Sequence, residues 1–214
     1  MVTVNFGTIN SSEDLGLFLH NSKISTAVPK RYTTSVPGRS GDLEFTHALT
    51  GDDIAFENRT MTLAFVRADY QREWDAIFSE IFNKIHGRRF HVVFDSDPQW
   101  YWDAFCTVEE PSAGNNRIDC IIRGDLYPFK RKDIVIEAAI PAAGRVFVRR
   151  DQGRETVYPT ITTDAAVTVQ VNGQTVSLSA GTHKNPAIYF TEETSEYRIT
   201  GAANVTISYS EGSL

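Results

Sequence analysis

The residue types that could do chemistry are thinly spread in this chain. The stretch Ser35-Val36-Pro37-Gly38-Arg39-Ser40-Gly41-Asp42-Leu43-Glu44-Phe45 has the glycines and serine of an anion-binding loop or a nucleophile elbow. A phosphate loop needs a lysine and a following helix, because the helix N-terminus and the loop amides hold the anion together. Here the residues after Gly41 alternate like a strand. A nucleophile elbow needs Gly-x-Ser-x-Gly turning into a helix, whereas Ser40 directly precedes Gly41. The stretch reads instead as a turn. Pro37-Gly38 suits the central positions of a type II turn, whose second residue needs a positive φ, and Gly41 permits a second reversal.

Other chemical groupings also fall short. The five histidines, His20, His47, His86, His91 and His183, have no metal-ligand spacing; His86 and His91 straddle the expected end of a helix and do not share one face of it. The doublets Asp52-Asp53, Glu109-Glu110 and Glu192-Glu193 could suggest acid–base pairs. Adjacent side chains on a strand point to opposite faces, so these carboxylates do not converge on one bond. The most distinctive cluster is aromatic, in Asp95-Ser96-Asp97-Pro98-Gln99-Trp100-Tyr101-Trp102-Asp103-Ala104-Phe105. Trp100, Trp102, Ala104, Cys106 and Val108 are expected on one strand face, with Tyr101, Asp103 and Phe105 on the other. Such a cluster can fill a core, form a subunit interface or stack against a sugar. No catalytic, cofactor or metal residues are assigned.

The chain has 214 residues and a net charge of −6, with 15 basic against 20 acidic residues up to residue 140 and 6 against 7 beyond it. Neither part offers the basic face with which nucleic-acid binders displace counterions. Lys130-Arg131-Lys132 reads as a solvated linker. No apolar run reaches the length of a membrane-spanning helix, and the N-terminus lacks an export signal, so synthesis in the cytoplasm is expected and the sequons at Asn10, Asn58 and Asn204 carry no meaning. Cys106 and Cys120 flank a turn-like segment; a hairpin centred near Ala113 would place them opposite each other, and reduced core thiols are expected.

One helix is expected over about 69–86. Tyr70, Trp74, Ile77, Phe78, Ile81, Phe82 and Ile85 recur at steps of three and four, Asp69 can cap the start, and Gly87 can end it. Nearly all other segments are β-branched or aromatic runs separated by turn formers, so the fold class is mainly β (α+β). A composition change within 128–145 divides the chain into 1–138, a β-rich part with the helix inserted between its strands, and 139–214, a small antiparallel sandwich. Within the latter, Asn172-Gly173 between two alternating runs marks a two-residue hairpin turn.

The order of features resembles the distal tail protein (Dit) family of long-tailed bacteriophages and prophages. The likeness rests on Asn5-Phe6-Gly7-Thr8-Ile9-Asn10, on Val36-Pro37-Gly38-Arg39 with Gly41 and Asp42, on Asn58-Arg59 before an alternating strand, on the amphipathic helix, on the aromatic run and on a small β domain ending in Tyr209-Ser210-Glu211-Gly212-Ser213-Leu214. The resemblance implies a ring of six copies at the virion tail tip, with double rings in isolated protein. Its implied partners are the tail tube protein, the tail-associated tip protein and receptor-binding components. DNA would pass its channel without specific binding. It also implies that 1–138 is a β-barrel- or sandwich-like domain with the long helix on its flank and that 139–214 is a galectin-like antiparallel β-sandwich. Pro37, Gly38, Arg39, Gly41, Asp42, Asn58 and Arg59 become candidates for a structural turn or a subunit interface. Trp100, Tyr101, Trp102 and Phe105 are candidates for core, interface or glycan contact. A carbohydrate-binding or adhesin module is the competing reading, and a wall-degrading hydrolase a third.

Overall fold

The computed structural model describes residues 2–46, 54–67, 74–109, 112–114, 117–149 and 153–214. It is mainly β and divides into two compact units after Lys130.

Unit 1 contains β1 (Val4–Phe6), β2 (Ile9–Asn10), β3 (Phe18–Ile24), β4 (Thr33–Thr34), β5 (Leu43–Glu44), β6 (Arg59–Arg67), α1 (Trp74–Ile85), β7 (Arg88–Phe94), β8 (Tyr101–Val108), β9 (Ser112–Gly114) and β10 (Arg117–Leu126). An antiparallel sheet runs β3-β6-β10-β8-β7-β1-β2. β6 shows why the segment is a strand: Met61, Leu63, Phe65 and Arg67 are buried while the residues between them are not, the period-2 pattern of a half-covered sheet. Phe6 of β1 and Phe65 of β6 have ring centroids 6.2 Å apart although β7, β8 and β10 lie between their strands. The sheet therefore curls until its two ends share one core. α1 packs on β8 and adds Ile77, Ile81 and Ile85 to that core, with Phe78 and Phe82 half-buried beside it. Gly87, at φ +72°, ends the helix in the conformation that glycine adopts without a Cβ penalty. The expected cap Asp69 and Tyr70 lie outside the described residues.

Unit 2 takes β11 (Lys130–Ile140) from Arg131 onward, followed by β12 (Arg145–Val148), β13 (Thr160–Thr163), β14 (Val167–Val171), β15 (Gln174–Leu178), β16 (Gly181–His183), β17 (Glu196–Thr200) and β18 (Ala203–Ser213). One layer runs β11-β18-β13-β16 and the other β12-β17-β14-β15. Side chains from both layers, among them Ile161, Ile207, Val169 and Ile199, form one core together with Phe190 from the connection before β17. The Asn172-Gly173 turn is as expected: φ is 49° and 74°, and Val171 pairs with Gln174.

Two details differ from the sequence reading. The division falls at Lys130 rather than at residue 138, because the segment taken as a connection is strand β11. Its Ile134, Ile136 and Ala138 pack on the second core, and the apolar Val135 and Ala139 on the outward positions hide the alternation. Lys130 and Arg131 are not a solvated linker either: each is paired, with Asp97 at 3.0 Å and Glu155 at 3.0 Å.

The cysteines are free and buried, but they are not opposite each other. Cys106 faces Gly124 and Cys120 faces Phe65, since Val108 pairs with Ile122, whereas a hairpin centred on Ala113 would pair it with Ile118. Burial pushes both thiols from 9.0 up to about 12. The unfolded chain thus sheds these protons near pH 9 while the folded chain holds them to about pH 12. Their contribution is complete below pH 9 and is lost as pH rises through that interval. Thiol titration at pH 8 should find no fast-reacting group until denaturant is added, and Cys106→Ser with Cys120→Ser should flatten the alkaline loss of stability. Rapid labelling of the native protein would contradict this placement.

Candidate assembly site

Between β3 and β6 the chain leaves the curled sheet and returns as an exposed ribbon. Its root is a short antiparallel ladder: the Glu57 amide donates to the Val28 carbonyl at 2.9 Å, the Lys30 amide to Ala55 at 2.8 Å, and Pro29 bridges Phe56. Further out the Phe45 amide donates to Tyr32 at 2.7 Å, and β4 pairs with β5 through Thr33–Glu44 and Thr34–Leu43. Arg31 binds both oxygens of Glu44, at 3.3 and 3.1 Å.

The tip is the stretch with the two glycines. The Arg39 amide donates to the Val36 carbonyl at 3.2 Å with Gly38 at φ +79°, which closes the expected type II turn around Pro37-Gly38. Gly41, at φ +78°, makes the second reversal. A Cβ at either glycine would meet nothing within 4 Å, so backbone conformation and not crowding demands glycine there. Arg39 and Asp42 are exposed, and among the described residues neither makes an ion pair.

The ribbon buries little of itself. Val28, Tyr32, Phe45 and Ile54 are 50%, 42%, 43% and 41% exposed. A two-stranded ribbon without a covered face is marginal in water, so these side chains are the part of unit 1 with most to gain from a covering surface.

What fixes the ribbon is a cationic and aromatic anchor at its base. Arg59, the first residue of β6, donates through Nε to the Ser25 carbonyl at 2.7 Å and through Nη1 to Pro128 at 3.4 Å, while its guanidinium lies 4.8 Å from the centre of the Trp102 ring. Desolvation draws its pKa below the ordinary arginine value. Arginine suits the position because a planar cation can donate from its edge and stack by its face. Asn58 donates to Asp125 at 3.3 Å, and Phe56 packs edge-on against Phe129 at 5.6 Å. Lys130 sits 4.8 Å from the Trp100 ring centre while paired with Asp97.

The sequence-flagged residues thus fall into separate groups. Asn58, Arg59, Trp100 and Trp102 join the anchor, while Pro37, Gly38, Arg39, Gly41 and Asp42 form the tip. The aromatic run is not one platform: Trp102 is 8% exposed, whereas Tyr101 stacks on His91 at 4.3 Å and Phe105 is 39% exposed, both on the opposite face of β8. Trp100 precedes β8 in a turn, its amide bonded to Asp97. Sequence reasoning missed Lys130, Asp97 and Phe129, whose pairing depends on which strand ends adjoin. Arg59→Ala should cost about 2–3 kcal/mol, since it strips charge-assisted bonds from two carbonyls and the cation from Trp102. Arg59→Lys should recover only part of this. A loss below about 0.5 kcal/mol in denaturant unfolding would contradict the anchor.

The remaining chemistry is structural. Among the described residues no group of three His, Cys, Asp or Glu side chains could hold a metal. Two of the described histidines make local hydrogen bonds: His86 Nδ1 accepts the Val108 amide at 3.1 Å, and His183 Nε2 lies 2.8 Å from the Ser179 carbonyl. Glu109 pairs with Arg123, and Glu192 with Arg154 at 3.7 Å. His47, Asp52, Asp53 and Glu110 lie outside the described residues.

This is a mainly β, two-unit fold whose polar contacts position backbone and strand ends. Among solved structures it is similar to the crystal structure of the Dit protein (gp 19.1) of phage SPP1, described as a paradigm of the hub adsorption apparatus in phages infecting Gram-positive hosts. The TM-score is 0.69 over 100% of both chains at 12% identity, so the chain has the Dit fold throughout. No family model matches the sequence, and no curated protein matches it.

Proposed function

We propose that the chain is a structural hub of a bacteriophage or prophage tail tip and not an enzyme. The observation that carries this reading is the Dit fold over the whole chain, both units included. Six copies close into a ring that joins the tail tube protein to the tail-associated tip protein, anchors receptor-binding components, and lets DNA pass without specific contacts. In isolation two rings can stack. The protein is made in the host cytoplasm and resides at the virion tail tip, and unit 2 is its galectin-like domain.

A ring needs a surface on one subunit that meets a different surface on the next. The exposed ribbon is suited to be one of them: it carries four half-exposed apolar side chains and, at its tip, a cation and an anion that make no ion pair among the described residues. Gold-labelled antibody against the chain should mark one end of the tail in intact virions. Label absent from virions that contain the chain by mass spectrometry, or spread along the tube, would overturn the tail-tip assignment.

A further inference from the structure

The outer face of β12-β17-β14-β15 holds a second feature, which none of the assembly contacts uses. Val146, Arg198, Gln170 and Thr175 stand in one row across the four strands, paired Val146–Arg198, Arg198–Gln170 and Gln170–Thr175. With Glu196 and Gln174 they line an open groove of about 470 Å³. Arg198 is oriented by one bond from Nη2 to the Ala143 carbonyl at 2.9 Å, which leaves its other N–H donors available. Among the described residues the side chains of Gln170, Gln174, Thr175 and Glu196 make no hydrogen bond or ion pair. The floor is rigid, because Phe147, Val169, Tyr197 and Ile199 on the reverse of the same strands are core.

We propose that this groove binds a neutral saccharide. A sugar presents hydroxyls that both donate and accept beside apolar C–H surface. The groove offers donors only from Arg198, acceptors only from Glu196, both kinds from the two glutamines and Thr175, and an apolar contact at Val146, which is 52% exposed. Its charges cancel, so Glu196 opposes the polyphosphate chains that an unopposed arginine would attract. Strand spacing of about 4.8 Å sets successive row members roughly one sugar ring apart. The row's side chains include no aromatic ring to stack on a sugar, so each groove binds weakly, with Kd on the order of 1 mM. Repetition around a ring would supply avidity. Only that last step depends on the ring.

The test is saturation-transfer difference NMR on the whole chain, which reads the sugar and works for a monomer or an oligomer alike. The probes are neutral trisaccharides of glucose, galactose, rhamnose and N-acetylglucosamine, with poly(ribitol phosphate) as the charged arm. At least one neutral sugar should receive saturation, and Glu196→Gln and Gln170→Ala, both exposed positions, should each weaken it about tenfold while the circular dichroism spectrum is unchanged. No transfer to any neutral probe overturns the proposal. Transfer to the phosphate polymer alone also overturns it, as does binding that survives both substitutions. None of these outcomes bears on where the chain sits in the virion.

Discussion

Glu211→Ala should destabilise unit 2 by about 3–5 kcal/mol, the largest loss expected from any single substitution in the chain. Arg149 and Glu211 have side chains with no solvent exposure at all. The guanidinium donates to Glu211 from Nη2 at 2.7 Å to both oxygens and from Nε at 2.9 Å, and its Nη1 donates to the carbonyls of Thr191 and Thr194 at 2.7 and 3.0 Å. The Gly153 amide completes the carboxylate at 3.2 Å, and the guanidinium lies 5.0 Å from the Phe190 ring centre. Removing Glu211 strands a buried cation. Removing both charges together is far less costly, because two apolar residues of similar volume need no desolvated partner. Arg149→Met with Glu211→Leu should therefore recover much of the loss, the two carbonyls and the Gly153 amide being the remainder. Denaturant unfolding followed by far-UV circular dichroism reads both variants, because all three tryptophans lie in unit 1 and do not report on unit 2. A Glu211→Ala loss under about 1 kcal/mol would show the pair to be hydrated and not structural.

The second large effect concerns assembly. Tyr32→Ser with Phe45→Ser should leave unit 1 folded, since both side chains are already 42% and 43% exposed and lie outside the core. If the ribbon covers a neighbour, the same pair should cut self-association by more than a hundredfold, about 2.8 kcal/mol, in line with the loss of two central aromatic contacts. Gly41→Val should act similarly on a smaller scale, because a β-branched residue at φ +78° costs about 1–2 kcal/mol of local strain and resets the tip that carries Arg39 and Asp42. Sedimentation velocity separates the cases. Unchanged association in both variants would remove the ribbon from the interface; loss of folding would mean that it supports unit 1 after all.

What was legible in the sequence followed from local rules. The helix was visible because Ile77, Ile81 and Ile85 repeat at one turn, and all three are buried. The turns at Pro37-Gly38 and Asn172-Gly173 were visible because each needs a positive φ that few residues tolerate. Register was not legible. The two thiols miss each other because the β8–β10 ladder is set by its partners and not by the turn-forming letters between them. The anchor was half legible: Asn58, Arg59 and Trp102 were flagged, yet their partners Ser25, Pro128 and Asp125 are scattered through the chain. The Arg149–Glu211 pair was half legible: in Val205-Thr206-Ile207-Ser208-Tyr209-Ser210-Glu211, alternation puts Glu211 on the inward side, where a buried carboxylate needs a cation, whereas in Arg145-Val146-Phe147-Val148-Arg149 the two valines alternate against Arg149 and yet are the exposed residues.

The central claim is that copies of this chain close on one another into a hub. Negative-stain electron microscopy of the purified protein, with mass by light scattering on the same sample, tests it most directly. The account predicts a ring with an open pore and a mass six times the 23.9 kDa of one chain, or twelve times where two rings stack. Particles that remain single chains at every concentration, with no ring even when the tail tube and tip proteins are added, would contradict it.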